Sequence, residues 1–182
     1  MKKRIAIILT AVLLVAAVGT TAAFLVDRTP SITNTFQPVA VTCKVLESFD
    51  TEANIKSNVA VQNTGDISAY VRAVVVATWV SKSNGSTYGA APVAGEDFTM
   101  ITGENGWLKG SDGFYYCTSA IAAGGKTPTL LTSVAPVEGK APDGYSLSVQ
   151  IIASAIQAEP TEAVKSAWSG IIVYDDGTIA PQ

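Results

Sequence analysis

The sequence predicts a mainly β protein: an antiparallel jelly-roll-like β-sandwich with one short helix near the C-terminus. Three observations carry that expectation. Apolar/polar alternations recur between turn-forming residues, one long stretch is almost continuously apolar and rich in β-branched residues, and a single segment carries helix signals. About eight strands in this length suit two packed antiparallel sheets. An immunoglobulin-like sandwich is the near alternative.

Val39, Val41, Cys43 and Val45 alternate with Ala40, Thr42, Lys44 and Leu46, and Pro38 before them suits a strand start or a sheet edge. Ile55, Ser57, Val59 and Val61 alternate against Lys56, Asn58, Ala60 and Gln62. Asn63-Thr64-Gly65-Asp66 then supplies a turn. Tyr70 to Val80 is nearly continuous apolar sequence, as expected of a central strand covered on both faces. Ser83-Asn84-Gly85-Ser86 reads as a hairpin turn, and residues 89–113 as long loops with a short strand near Phe98–Ile101. Phe114 to Cys117, Thr129 to Leu131 and Tyr145 to Ala158 are further strand candidates. Pro160, Thr161 and Glu162 open a helix that runs through Trp168 to Gly170. Ile171 to Tyr174 and the Asp175-Asp176-Gly177 turn complete the pattern.

The first segment reads differently. Met1-Lys2-Lys3-Arg4 is positive, Ile5 to Val18 is apolar apart from Thr10, and Gly19 to Ala23 are small residues. This is a signal-peptide layout, with cleavage expected after Ala22 or Ala23 and Phe24 at or next to the new N-terminus. An uncleaved anchor over residues 5–26 is the alternative. Asp27, Arg28 and Pro30 end the apolar run where a cleavage site belongs. The expected organisation is therefore a signal peptide over 1–23, an N-terminal arm over 24–37 and a sandwich over 38–182. The product is expected to be secreted, meeting the membrane only in transit.

Composition narrows the chemistry. The 182 residues include no histidine, which removes Ser-His-Asp and Cys-His centres and H-E-x-x-H zinc sites. A carboxylate-pair glycosidase needs none, but no spacing marks such a pair. No enzyme activity, cofactor or metal is expected. Residues 24–182 hold 9 basic and 15 acidic side chains, a net charge of −6, which disfavours nucleic acid as a partner.

Four passages in order resemble a known family. They are Gly19 to Asp27, Val61 to Arg72 with its Asn-Thr-Gly-Asp and Ala-Tyr-Val-Arg portions, Asp112 to Tyr116, and Ala155 to Glu159. Together they are similar to the SipW-dependent exported biofilm-matrix proteins of Gram-positive bacteria, closest to a clostridial-type branch, with TasA-like fibre subunits and camelysin further away. The resemblance implies a jelly-roll subunit cut by a SipW-type signal peptidase and assembled into matrix or surface fibres, with possible accessory matrix subunits. It also implies donor-strand exchange, in which an N-terminal arm completes the sheet of the next copy. Phe24, Leu25, Val26 and Ile32 would then be the polymerisation residues. The metallopeptidase label attached to camelysin-like relatives does not transfer, because only Cys43, Cys117 and carboxylates remain as ligands.

Other residues carry open readings. Cys43 and Cys117 suit either a disulfide or two buried thiols. Asp112-Gly113 and Asp175-Asp176-Gly177 read as turns more than as calcium loops, and Asn84-Gly85-Ser86 as a turn more than as a glycosylation acceptor. Trp79, Trp107, Tyr115, Tyr116 and Trp168 read as core packing, with a sugar-binding face as the alternative. A Lys–Asn isopeptide cross-link has no pair marked in the sequence. The alternative to a fibre subunit is a monomeric adhesin or glycan-binding module using loops 81–113.

Overall fold

The computed structural model describes residues 40–103 and 105–182. Ten strands and one helix follow in order: β1 (Cys43–Asp50), β2 (Ile55–Asn63), β3 (Ala69–Ser81), β4 (Phe98–Thr102), β5 (Trp107–Lys109), β6 (Tyr115–Cys117), β7 (Leu131–Pro136), β8 (Tyr145–Gln157), α1 (Thr161–Ala167), β9 (Ile171–Val173) and β10 (Ile179–Pro181). One four-stranded sheet has the order β1-β2-β7-β4, the other β5-β6-β3-β8, and β9 and β10 form a hairpin. The pairings within these sheets are antiparallel.

The longest ladder joins β3 to β8, in register from Ala69 opposite Gln157 to Ser81 opposite Tyr145. Its inward residues Ala73, Trp79 and Leu147 meet Val59, Phe98, Leu131 and Val134 of the other sheet in the main core. Burial of these side chains out of water is what holds the two layers face to face.

A second core lies on the outer face of β3, β6 and β8. Tyr70, Tyr116 and Ala158 are covered there by Val164 of α1, by Trp168 just after it, and by Ile171 and Ile179 of the hairpin. The Arg72 guanidinium sits 4.3 Å from the Phe114 ring centroid and 5.0 Å from that of Trp168, and its Nε donates to Ser154 Oγ. Stacking and hydrogen bonding together allow this cation to be half buried. Tyr70 Oη donates to the Gly177 carbonyl at 2.6 Å, tying the hairpin turn to the sheet.

The expected β class, antiparallel pairing and single short helix near the C-terminus are present. Four differences have physical causes. Regular β1 runs to Asp50, past the expected strand end at Leu46, because its pairing with β2 continues as far as Ile55. β5 and β10 have only three residues each, too few to show a period. The expected strand around Thr129 to Leu131 instead runs Leu131–Pro136, because its pairing with β2 and β4 begins at Leu131 and continues with β4 as far as Pro136 opposite Phe98. Tyr70 to Val80 is covered on both faces only near its start, since the C-terminal cap reaches Tyr70 and Arg72 while Val74 and Val76 stay half exposed.

Trp168 is almost fully buried at the centre of the cap. Trp168→Ala should lower the unfolding free energy by about 3 kcal/mol. Urea denaturation checks this, and a loss below about 1 kcal/mol would show that the cap is not cooperative with the sandwich.

Candidate functional site

β1 and β8 each pair along one edge only among the described residues, so each presents a free row of backbone donors and acceptors. They lie against each other at one side of the sandwich. Two adjoining cavities open between them. The first, about 280 Å³, is lined by Glu47, Phe49, Lys56, Val134, Leu147 and Val149 among others. The second, about 340 Å³, is lined by Val45, Glu47, Lys56, Gln150, Ile151 and Ile152. Residues 47–49 thus face 147–149, and 45–47 face 150–152, so the two edges run in opposite directions along one groove.

A local break in alternation builds the floor. Between Leu46 and Ser48 of β1 the pairing with β2 shifts register, and Asn58 of β2 takes a left-handed backbone with φ 54°. Asn tolerates that conformation better than most residues. The extra residue reverses the alternation, so Lys56 turns into the groove where the sequence pattern placed Ser57 with Val59 and Val61. Only 13% of the Lys56 side chain is exposed, and its Nζ donates to both Glu47 oxygens, at 2.7 and 2.9 Å. Asn54 Nδ2 donates to the Leu147 carbonyl at 3.0 Å, closing one end of the groove. The apolar lining stays wet: Phe49 is 53% exposed and Ile152 54%.

The other end is set by the Asn-Thr-Gly-Asp turn. Asn63 is wholly buried, and its Nδ2 donates to the Ile67 and Ile121 carbonyls, both at 2.8 Å. Its Oδ1 accepts from the Gly65 N–H at 3.0 Å. Residues 40–42 lie across this turn, with the Thr64 N–H donating to the Thr42 carbonyl and the Asp66 N–H to the Ala40 carbonyl. A Cβ on Gly65 would stand 2.5 Å from the Ala40 oxygen, so only glycine permits the approach. The backbone therefore continues β1 past the end of the groove.

Ala22, Ala23, Phe24, Leu25, Val26 and Ile32 lie outside the described residues. Cys43 and Cys117 contribute to one apolar cluster with Val61, Val71 and Ile121, and both are thiols. Cys43 sits on edge strand β1 and Cys117 on β6, an inner strand of the opposite sheet. Burial pushes both thiols above the ordinary cysteine range, which disfavours the reactive thiolate.

The Asp turns are closed by their own residues. Asp112 accepts from Tyr116 Oη at 2.6 Å and from the Phe114 N–H, and the Tyr116 bond holds its carboxyl below the usual range. Asp176 accepts from the Thr178 N–H and hydroxyl, which lower its pKa likewise. Asn84 accepts from the Ser86 N–H. Among the described residues, no group of three His, Cys, Asp or Glu is placed to hold a metal ion. The aromatic candidates divide between layers. Trp79 and Tyr115 belong to the main core with Trp107 packed against it, and Tyr116 and Trp168 to the outer one.

Sequence reading missed Glu47, Phe49, Lys56, Leu147 and Ile152 as groove residues. Asn58 was the one available signal, a residue that favours turns placed inside an apparent strand. No protein-family model, curated protein or solved structure matches this chain.

Gly65→Ala should push residues 40–42 off the turn. Hydrogen exchange at the Thr64 and Asp66 amides should quicken by about tenfold, the loss of one hydrogen bond's stabilisation, while the Val61 amide stays protected. Unchanged exchange at Thr64 and Asp66 would refute the close-approach account.

Proposed function

We propose that the protein is a secreted structural subunit that polymerises into extracellular biofilm-matrix or surface fibres by donating its N-terminal arm to the next copy. The observation that carries this reading is the pairing of one open groove with one outward exit. The groove has two strand edges that are unpaired among the described residues and a lining that mixes apolar side chains with the Lys56–Glu47 pair, and an open strand edge favours addition of an extended segment through backbone hydrogen bonds. Residues 40–42 lie along the Asn63–Asp66 turn, beyond the end of the groove.

Such a contact joins two different surfaces, so it leaves each new subunit with one free groove and one free arm. It does not close, and a filament follows. The resemblance of the Asn63–Asp66 and Tyr70–Arg72 passages to exported fibre subunits supports the same reading. So does the signal-peptide layout of residues 1–23, with a SipW-type peptidase as the processing partner and no catalytic role.

The test is electron microscopy of the secreted form beginning at Phe24, with and without residues 24–33. The parent should form filaments, and the shortened chain should remain a folded monomer. Filaments of undiminished number from the shortened chain would sink strand donation. Monomers of the parent at every concentration, together with retention on a glycan array, would favour the adhesin alternative.

A further inference from the structure

We propose that Asn105 is a site of spontaneous covalent modification, where the folded protein converts this residue to isoaspartate and aspartate with loss of ammonia, while the fold holds Asn84 back from the same reaction. The inference is independent of the fibre reading.

Asn84 and Asn105 are the two asparagines followed by glycine. Glycine has no side chain to obstruct the approach of its backbone nitrogen to the preceding carboxamide. In the reaction the Gly106 nitrogen attacks Cγ of Asn105. The N–Cγ bond forms, the Cγ–Nδ2 bond breaks, and ammonia leaves with the proton given up by the Gly106 amide. Water then opens the cyclic imide. Cleavage of the new N–Cγ bond gives aspartate, and cleavage at the main-chain carbonyl gives isoaspartate, whose backbone runs through the former side chain. Either product adds one carboxylate to the connection from β4 to β5, which joins the two sheets.

Both asparagines are exposed, so access to water does not separate them. Hydrogen bonding does. The Gly85 N–H, which must lose its proton, donates to the Ser81 carbonyl at 3.0 Å. The Asn84 Oδ1 accepts from the Ser86 N–H at 3.0 Å, fixing the carboxamide that would have to turn toward Gly85. Ring closure at Asn84 therefore requires the turn to open first.

At the other site, no backbone carbonyl among the described residues accepts the Gly106 N–H. Asn105 and Gly106 both take left-handed backbone, with φ 54° and 86°, in a bend that precedes β5. The chain is fixed only beyond that peptide. The Gly106 carbonyl accepts from the Thr118 N–H at 2.9 Å, and Trp107 Nε1 donates to the Pro128 carbonyl at 2.9 Å. The 105–106 peptide can thus rotate toward the Asn105 side chain without breaking a ladder bond, because the glycine φ absorbs the change.

The test incubates the purified protein at neutral pH in heavy-oxygen water, which marks carboxylates formed during the incubation. Electron-transfer fragmentation of its peptides then assigns each conversion to a position and separates isoaspartate from aspartate. Conversion at Asn105 should run at least about tenfold faster than at Asn84, the factor expected when one or two hydrogen bonds must open first. In urea, where both turns are lost, the two rates should become similar. Equal rates in the folded protein, or faster conversion at Asn84, would overturn the assignment. So would an intact Asn105 in the folded protein over a period in which the unfolded chain converts. A preference for Asn105 that persists undiminished in urea would trace to neighbouring side chains, and would overturn the role given to the fold. Asn105→Gly keeps the left-handed bend and should abolish the labelling at that bend, with circular dichroism unchanged. Heavy oxygen entering the bend at the parental rate would show that Asn105 is not its source.

Discussion

The buried carboxamide of Asn63 is the constraint on which the rest of this end of the molecule depends. It occupies the step from β2 into β3 and makes three hydrogen bonds, to Ile67, Ile121 and Gly65. Its backbone makes two more, to Gly124 and Gly125. A buried amide fully engaged in this way fixes one loop geometry, since each partner left unpaired would carry its desolvation cost. Three connections meet there: the β2–β3 turn, the loop at Ile121–Gly125, and the chain entering β1. Gly65 adds the steric half of the constraint, leaving room for the Ala40 carbonyl where any side chain would stand.

The β1 end of the sandwich is organised by what it does not complete. β2 and β3 are inner strands, paired on both sides and buried against each other's sheets. β1 and β8 are edges, and the core between them is interrupted by the Lys56–Glu47 pair and by open cavities. An ion pair with one partner this open to solvent contributes little net stability, because solvent screening and side-chain ordering offset much of the attraction. Its presence with half-exposed Phe49 and Ile152 is hard to account for as optimisation of the monomer. It is compatible with the proposed fibre reading, in which a segment of another copy would complete the groove.

Legibility followed the length and regularity of each element. The β3 and β8 stretches are thirteen residues each, long enough for composition and alternation to mark them despite their different patterns. α1 is only seven residues long, but Pro160 before it and Gly170 after it punctuate the sequence. β5 and β10 were invisible, as three-residue strands exist only because a partner strand lies alongside. Lys56 misled for a different reason. Period-two reading assumes an unbroken ladder, and a single extra residue at Asn58 exchanges the faces of everything before it. The groove was therefore unreadable, while the turn that directs the chain past it was legible as Asn-Thr-Gly-Asp.

By itself the sequence determined the β class, the turn positions, the C-terminal helix and the absence of histidine chemistry. These depend on local backbone preference, on side-chain period and on which atoms are present at all. Tertiary structure alone decided which strands became edges, which face Lys56 took and where residues 40–42 leave the fold. Those outcomes depend on pairing between segments far apart in the chain, such as β1 with β2 and β8 with β3, whose competition for partners no local pattern records.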